Sequence, residues 1–401
     1  MADRRPAPIT TITKVAYFDT KRAATDIPYA RSFSSSPSFV VYSEKFIQDV
    51  IGDNPLLSLV SSRKDTKDQF AHEAGVYIRS TNSIYFTSNY QTSDPRIDLY
   101  AITADTWQIE KLTSKPGFDI VSQPNGACNY QDKVLYCAQG DIHRGKNGGG
   151  SSQPSALTLV DPVSGTAETL LNNFYGREFS SLNDVVVHHG TGDIWFTDPT
   201  YGYEQAFRPP PVLPKQVYRF RPSTGQCWAV ADGFDMCNGL CFSPDYTLMY
   251  ITDTGSIQSH GDIRDGHNFS VRGTLPASIY VYDVVEAGTR LANRRLFAFC
   301  DNGVPDGIKC DEKGYVYSGC GDGVHVWDTE GSLVGKIVVG ATTANFCFDE
   351  EGIWMFAEEE LWFCKLKARG ALLGGKLEWV SEILKEKREG KWAFMVISYL
   401  V

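Results

Sequence analysis

Six polar residues stand at the head of short apolar segments in this 401-residue chain, and their side chains could bind a metal ion. They are Glu73 in HEAGVYI, Asn125 in PNGACNY, Asn183 in LNDVVVH, Asn238 in NGLCFSP, Asp306 in PDGIKCD and Asn345 in ANFCFDE. All of their side chains carry oxygen donors, which hard divalent cations prefer, whereas zinc and copper favour the His and Cys that are missing here. If the six converge, they predict a site for one divalent cation, calcium before Mg²⁺, Mn²⁺ or Zn²⁺.

A purely structural interpretation of the same residues is also available. Asn-Gly and Asp-Gly pairs are common in turns, and a polar residue at the start of a strand can cap the backbone. That interpretation suits any one of the six residues taken alone. Their recurrence at equivalent positions favours a shared ring over six unrelated turns.

The elements that would position this ring are strands, and they repeat about every 40–65 residues. Six segments rich in aromatic and β-branched residues have the composition of strands; they are SIYFTSN (83–89), KVLYCAQG (133–140), DIWFTDP (193–199), TLMYITDTG (247–255), YVYSGCG (315–321) and IWMFAEE (353–359). Hairpins with turn residues such as DPVSG, RPSTG and DTEG follow at 157–171, 217–231 and 324–339, and segments 99–112 and 279–291 fit the same place. Asp198 and Asp253, near the ends of two of these strands, are expected to stabilise turns.

Six units of four antiparallel strands, with almost no helical periodicity, predict an all-β, six-bladed β-propeller. Radial closure leaves no long open sheet edge. The innermost strands of a propeller line its central channel, so the six polar residues would form a ring around a metal-containing channel. We predict an N-terminal extension over residues 1–38 and one propeller domain over residues 39–401.

Charge and composition restrict the partners. The formal net charge is −10 and no run of Lys or Arg occurs, so nucleic acid and anionic membranes are poor partners. We expect no membrane span, because no apolar stretch of about 18 residues is present. With no apolar signal segment near the start and ten cysteines without CxxC spacing, we expect a cytoplasmic protein with reduced thiols and no Cys/His cluster. The sequence leaves the oligomeric state open.

Longer stretches resemble a known family. LLNNFYGREFSSLNDVVV, DIWFTDPTYGYEQAFRP and VPDGIKCDEKGYVYSGCGDGVHVW are similar to the fungal lactonohydrolases, within the family of gluconolactonase, senescence marker protein (regucalcin) and luciferin-regenerating enzyme. The resemblance implies a six-bladed propeller with a divalent cation in its channel and hydrolysis of a small lactone or ester. It also implies that Glu73, Asn183, Asn238 and Asp306 are metal ligands and that Asn125 lines the channel.

Lactone hydrolysis needs a polarised carbonyl and an activated water, and a bound cation supplies the first as a Lewis acid. Asp306 is the candidate base that orients or deprotonates the water, and Glu73 is a catalytic residue mainly as a ligand. Candidate substrate-binding residues are Asn125, His143, Tyr201, Asn345 and His72. Strand alternation turns His72 away from the channel unless a bulge re-aims it. His143 could be a solvated loop residue, and Tyr201 could pack rather than wall the pocket.

Two other functions remain open at this stage. The same scaffold could cyclise, isomerise or eliminate a natural-product intermediate without hydrolysis, or it could be a non-enzymatic calcium-binding propeller. A serine esterase of the α/β-hydrolase type is disfavoured because no G-x-S-x-G motif occurs.

Overall fold

The fold was analysed in a computed structural model that describes residues 5–18, 36–90, 96–142, 152–260 and 268–373. Strands dominate these residues, and six sheets of at least four strands account for most of them. Within each four-stranded blade, neighbouring strands pair antiparallel. The prediction of an all-β, six-bladed propeller is therefore confirmed.

Blades are numbered here along the chain, with the innermost strand first. Blade 1 comprises Glu73–Ile78, Ser83–Thr87, Leu99–Thr103 and Ile109–Lys111. Blade 2 comprises Pro124–Tyr130, Lys133–Ala138, Ala156–Asp161 and Thr166–Leu171. Blade 3 comprises Val185–His188, Asp193–Asp198, Gln216–Arg221 and Gln226–Ala231. Blade 4 comprises Cys237–Phe242, Leu248–Asp253, Ser278–Val285 and Arg290–Phe299.

Blades 5 and 6 contain strands from both ends of the described chain. Blade 5 comprises Ile308–Cys310, Val316–Cys320, Gly323–Trp327 and Leu333–Val338. Blade 6 takes Asn345–Phe348, Gly352–Ala357 and Glu360–Lys365 from the C-terminal side, and its fourth strand, Leu56–Ser62, from the N-terminal side. This pairing closes the ring of blades, and no local sequence pattern predicts it.

The first strands of the chain extend two blades outward. Thr10–Ile12 pairs antiparallel with Leu56–Ser62, which gives blade 6 a fifth strand. Ser38–Val41 pairs antiparallel with Leu333–Val338, and Val15–Tyr17 lies parallel to Ser38–Val41, so blade 5 has six strands. Residues 10–17 of the predicted extension thus lie against the outer edges of the propeller.

Short elements complete the described part. Two small hairpins pair Asn173–Phe174 with Arg177–Glu178 and Ile257–His260 with Asn268–Val271. The helical segments are a π-helical turn at Phe46–Ile51, a 3₁₀ turn at Arg79–Thr81 and a four-residue α-helix at Tyr201–Glu204. No helix in the described ranges is both long enough and apolar enough to cross a bilayer.

The core lies between blades, and this explains the apolar second strands. A strand buried on both faces carries a continuous run of large apolar residues rather than an alternating pattern. Asp193–Asp198 is buried along its whole length, with Trp195 fully enclosed. At the closure, Phe86 of blade 1 stacks on Phe356 of blade 6 with ring centroids 5.2 Å apart. Aromatic contacts of this kind join neighbouring blades into one body.

All ten cysteines are free thiols, and nine of them are buried. The expectation that cysteines and histidines do not cluster is wrong. The Sγ atoms of Cys300 and Cys320 and a ring nitrogen of His325 all lie within 4.8 Å of one another. These residues are far apart in the sequence, and the junction of blades 4 and 5 brings them together.

Candidate active site

The inner strands of neighbouring blades come so close that the ring residues Asn125 and Asn238, like Asp306, are followed by a glycine where a Cβ would not fit. A Cβ at Gly126, after Asn125, would lie 2.5 Å from the carbonyl oxygen of Asn183. A Cβ at Gly239, after Asn238, would lie 2.5 Å from the carbonyl oxygen of Asp306. Neither glycine has a positive φ, so their small size matters here rather than their conformational freedom. These Asn-Gly pairs are therefore close inter-blade contacts and not turns.

Hydrogen bonds complete the circle of inner strands. Between blades 6 and 1, Asn345 Nδ2 donates to Glu73 Oε2 at 2.7 Å. The five remaining junctions are joined by Asn129 Nδ2 to Tyr77 O at 3.4 Å, Gly126 N to Asn183 O at 2.7 Å, Leu240 N to Asp184 Oδ2 at 3.3 Å, Thr252 Oγ1 to Asp306 O at 2.9 Å and Gly307 N to Ala344 O at 2.8 Å. The six strand heads of the sequence thus lie around one channel.

Glu73 and Asp306 place two carboxylates face to face in this channel. Glu73 is buried and Asp306 is partly exposed. Burial and the charge of Glu73 raise the pKa of Asp306 well above its ordinary value, and a proton on one carboxyl would be hydrogen-bonded to the other. Two negatively charged carboxylates in a buried channel are energetically unfavourable unless a proton or a cation binds between them.

Two oxygen atoms of the ring are buried without a hydrogen-bond partner among the described residues. They are Oδ1 of Asn183 and Oδ1 of Asp306. Asn183 uses its amide nitrogen to donate to Asn125 Oδ1 at 3.5 Å, which fixes the oxygen as the unpartnered end of the group. Buried polar atoms are rarely left unpaired, so each such atom needs an explanation. Together with the Glu73 carboxylate, these two oxygen atoms fit a hard divalent cation, which takes several oxygen ligands.

Asn238 completes the predicted ligand set and is held by Tyr201. Its Nδ2 donates to the Tyr201 hydroxyl at 3.1 Å, and that hydroxyl also contacts Thr254 Oγ1. Tyr201 opens the four-residue helix between the second and third strands of blade 3. Burial, with the nearby charge of Asp306, raises the pKa of its phenol. Tyr201 therefore stays neutral and orients the Asn238 amide, so that the amide oxygen is the group available to a ligand.

Two aspartates anchor the segments that lead to the ring residues. Asp198 accepts hydrogen bonds from the backbone nitrogens of Ser180 and Ser181, at 3.0 and 2.8 Å. Asp253 accepts from the backbone nitrogens of Asp235 and Met236, at 3.0 and 2.8 Å. Each carboxylate ends a second strand and ties down the chain just before the inner strand of its own blade. By holding these turns in place, Asp198 and Asp253 position Asn183 and Asn238 respectively.

His72 lies near the channel because the strand beside it is irregular. Ala74 and Gly75 have positive φ values of 69° and 78°, and the register shifts between Ala74 and Val76. Such a bulge interrupts the alternation of side chains along the strand, which would otherwise turn His72 away from the channel. His72 Nδ1 lies 2.9 Å from Glu358 Oε1. Burial opposes its charge, but the charge and hydrogen bond of Glu358, with smaller contributions from the charges of Glu73 and Asp306, together raise the pKa of His72 to about 9.

Asn345 has both ends of its amide engaged by protein groups. Its Nδ2 bonds Glu73, and its Oδ1 accepts from Lys309 Nζ at 3.1 Å and from the backbone nitrogen of Phe346 at 2.8 Å. It therefore fixes Glu73 within the ring. Of the other predicted substrate-binding residues, Asn125 and Tyr201 lie at the ring, whereas His143 falls outside the described residues.

Sequence reasoning missed Lys309 and Asp184. Lys309 extends from the inner strand of blade 5 toward Asn345, and its charge also acts on Asp184. Burial raises the pKa of Asp184 to about 7, and Lys309 opposes that rise. Asp184 directly follows Asn183, and Lys309 comes three residues after Asp306. The available signal was a charged residue within one apolar inner strand and another directly before a second such strand.

The family model for the SMP-30/Gluconolactonase/LRE-like region matches residues 72–258 and 263–355, which include all six ring residues. This chain belongs to that family. Within it, the chain is similar to lactonohydrolase oryL of Aspergillus oryzae, with 31% identity over 340 residues, which cover 82% of this chain and 75% of the relative. Lactonohydrolase oryH of the same organism is 24% identical over 431 residues and covers 89% and 88% of the two chains.

Solved structures carry the same fold as this family member. A gluconolactonase from Xanthomonas campestris superposes with a TM-score of 0.64 at 24% identity, which covers 82% of this chain and 95% of that one. At this level of identity the likeness supports the propeller architecture. It gives no residue roles for this chain.

Proposed function

We propose that this protein hydrolyses a lactone to its hydroxy acid, with one calcium-type divalent cation held by Glu73, Asn183, Asn238 and Asp306. One observation carries the proposal. Two carboxylates face each other in the channel beside buried oxygen atoms that have no protein partner. Membership of the SMP-30/Gluconolactonase/LRE-like family and the similarity to two lactonohydrolases support the reaction class. A cation held there would supply Lewis-acid polarisation of the lactone carbonyl.

Asp306 is suited to act on the water. It is the more accessible of the two carboxylates, and Glu73 is held by the Asn345 amide. In the proposed reaction Asp306 accepts a proton as the water oxygen bonds to the acyl carbon. The acyl–oxygen bond of the ring then breaks, and the ring oxygen takes up the proton as a hydroxyl. Oxygen from water therefore ends in the new carboxylate.

Neighbouring residues would orient the substrate rather than react with it. Tyr201 fixes the Asn238 amide, and Asn345 fixes Glu73. His72 is kept cationic beside Glu358, and its positive charge favours the negative charge that develops on the carbonyl oxygen. Asn125, next to Asn183, would supply a further polar group at the channel.

The test is a panel of sugar, aliphatic and aromatic lactones, followed by acid release in calcium buffer and repeated in ¹⁸O-labelled water. Hydrolysis places one labelled oxygen in the product carboxylate, whereas cyclisation or isomerisation incorporates none. Asp306→Asn should abolish acid release. Asp232→Asn is the matched control, because it removes an exposed carboxylate outside the ring. Unlabelled product, or full activity in Asp306→Asn, would refute the proposal.

A further inference from the structure

A second cluster of ligand-type side chains lies outside the channel, at the junction of blades 4 and 5. Cys300 directly follows the outer strand of blade 4, Cys320 ends the second strand of blade 5, and His325 lies in the third. All three are buried, at 2%, 1% and 0% exposure. Such burial keeps any substrate from the thiols, so a catalytic role for this cluster is excluded.

The geometry points to a zinc site. We propose that Cys300 Sγ, Cys320 Sγ and His325 Nδ1 bind one zinc ion that joins blades 4 and 5. The three ligand atoms lie within 4.8 Å of one another, and Cys300 Sγ is 4.0 Å from His325 Nδ1. A tetrahedral zinc site with Zn–S of about 2.3 Å and Zn–N of about 2.0 Å needs ligand separations of about 3.5–3.8 Å. A contraction of about 0.5 Å would bring the thiolate and imidazole to that distance.

His325 already has the orientation of a metal ligand. Its Nε2 lies 2.6 Å from Asp322 Oδ1, which leaves Nδ1 facing the two thiols. Ligating histidines commonly donate their other ring nitrogen to a carboxylate in this way, and the carboxylate fixes the tautomer and the ring. A structural histidine with no ligand would not require its second nitrogen to face two cysteines.

The fourth ligand position falls to Asp301. Its Oδ1 is 3.5 Å from His325 Nδ1, and its side chain is about half exposed, so it has room to rotate. Lys336 Nζ lies 2.7 Å from both Asp301 oxygens and would balance part of the negative charge of two thiolates and a carboxylate. Structural zinc sites are closed, with four protein ligands, as this one would be.

The protein favours deprotonation of one thiol. Hydrogen bonds from Cys320 and His325 hold the pKa of Cys300 well below its ordinary value, although burial opposes this. Zinc binding would then release the proton of Cys320 and the proton on Nδ1 of His325, since metal ligands must be deprotonated.

The site would brace the chain that delivers Asp306 to the channel. Cys300 and Asp306 are the two ends of one short connection. Gly321 N donates to Asn302 O, and Asp306 N donates to Gly319 O, both at 2.9 Å, so this connection runs along the strand that ends at Cys320. A zinc ion linking Cys300 to Cys320 would fix one end of the connection. The backbone hydrogen bonds along the connection would then restrict the position of Asp306 as well.

The experiment uses the full-length protein, reduced with a phosphine, freed of transition metals and saturated with calcium so that the channel is filled. Titration with Co²⁺ should give a thiolate-to-cobalt charge-transfer band that saturates at one equivalent and is lost when zinc is added. Cys300→Ser, Cys320→Ser and His325→Gln should each lose the band. Cys227→Ser, a buried cysteine of blade 3, should keep it. Asp322→Asn should weaken binding by about 10–100-fold.

A measurement on the unaltered protein tests the proposal even if the variants fail to fold. Anomalous diffraction at the zinc edge from a zinc-soaked crystal should give a peak between Cys300 Sγ, Cys320 Sγ and His325 Nδ1. Absence of both the peak and the band would overturn the assignment. A Cys300–Cys320 disulfide in protein kept without reductant, together with no cobalt binding after reduction, would also overturn it.

Discussion

Replacing Asp306 by Asn should stabilise the metal-free protein and remove the stabilisation that calcium gives to the wild type. In metal-free protein, burial and Glu73 disfavour the Asp306 carboxylate, so it must either take up a proton or bear the repulsion. Protonating a carboxyl of ordinary pKa about 3.9 at pH 7 costs up to about 4 kcal/mol, at 1.36 kcal/mol per pH unit. Asn has nearly the same shape and donates a hydrogen bond to Glu73, so Asp306→Asn should recover up to about 4 kcal/mol.

Calcium should stabilise the wild type but not the variant, which lacks one of the two proposed ligand carboxylates. An ion at 100 times its dissociation constant stabilises the folded state by about 2.7 kcal/mol. A chain of 401 residues, at about 2.1 cal/mol/K per residue, has an unfolding entropy near 0.8 kcal/mol/K. The two effects therefore correspond to an advantage of up to about 5 °C for the variant in chelator, and to a rise of about 3 °C in the melting temperature of the wild type alone when calcium is added, which narrows that gap.

The pH dependence follows from the same pair of carboxylates. The folded-state pKa of Asp306 lies above its unfolded value, so the folded state binds the extra proton. The stability of metal-free wild type therefore falls as the pH rises above about 4, up to the folded-state pKa. Asp306→Asn lacks this contribution.

Differential scanning fluorimetry in calcium and in chelator, at pH 5 and pH 7.5, measures all of these effects. Asp232→Asn serves as control and should melt with the wild type throughout. The reasoning is refuted if metal-free wild type melts as high as metal-free Asp306→Asn at both pH values. It is refuted equally if calcium stabilises the two proteins alike.

Three further substitutions separate the channel from the scaffold. Gly239→Ala should lower the free energy of unfolding by roughly 1–3 kcal/mol and weaken calcium binding, because its Cβ would meet the Asp306 carbonyl oxygen at 2.5 Å. Gly273→Ala is the control: its Cβ would have open space around it, so it should change neither the melting temperature nor the calcium titration. Tyr201→Phe should weaken calcium binding about 10–100-fold by releasing the Asn238 amide, and an unchanged titration would contradict that positioning role. Asp193→Asn should cost about 3–5 kcal/mol in chemical denaturation, because it removes the charge of a fully buried carboxylate that pairs with the buried Arg219 and the partly exposed Arg221. Asp193 lies at the other end of its strand from Asp198, so folded protein should keep its activity per molecule, and lost activity at full folding would contradict this separation.

The sequence predicted the strands and the ring because both are encoded locally. Each second strand is an unbroken apolar run, and each ring residue is a polar residue ahead of such a run. The closure of blade 6 was not predictable in this way. Leu56–Ser62 pairs with Glu360–Lys365, which is about 300 residues further along the chain, and no feature of the Leu56–Ser62 sequence indicates which strand it pairs with.

Side-chain detail depended on contacts that spacing does not encode. The position of His72 beside the channel depends on the bulge at Ala74, which arises from the positive φ values of Ala74 and Gly75. Lys309 and Asp184 interact only because blades 3 and 5 face the same channel. The metal-ligand assignment, the cytoplasmic location and the boundary at residue 38 stay predictions.

The most direct test of the channel chemistry is the initial rate of lactone ring opening by wild-type protein before and after removal of divalent ions. Losing the Lewis acid should cost several kcal/mol of transition-state stabilisation, which is at least about 100-fold in rate. We predict that chelated protein loses activity by at least this factor and that calcium restores it in proportion to the ion bound. Undiminished ring opening in protein shown by elemental analysis to be metal-free would contradict the account.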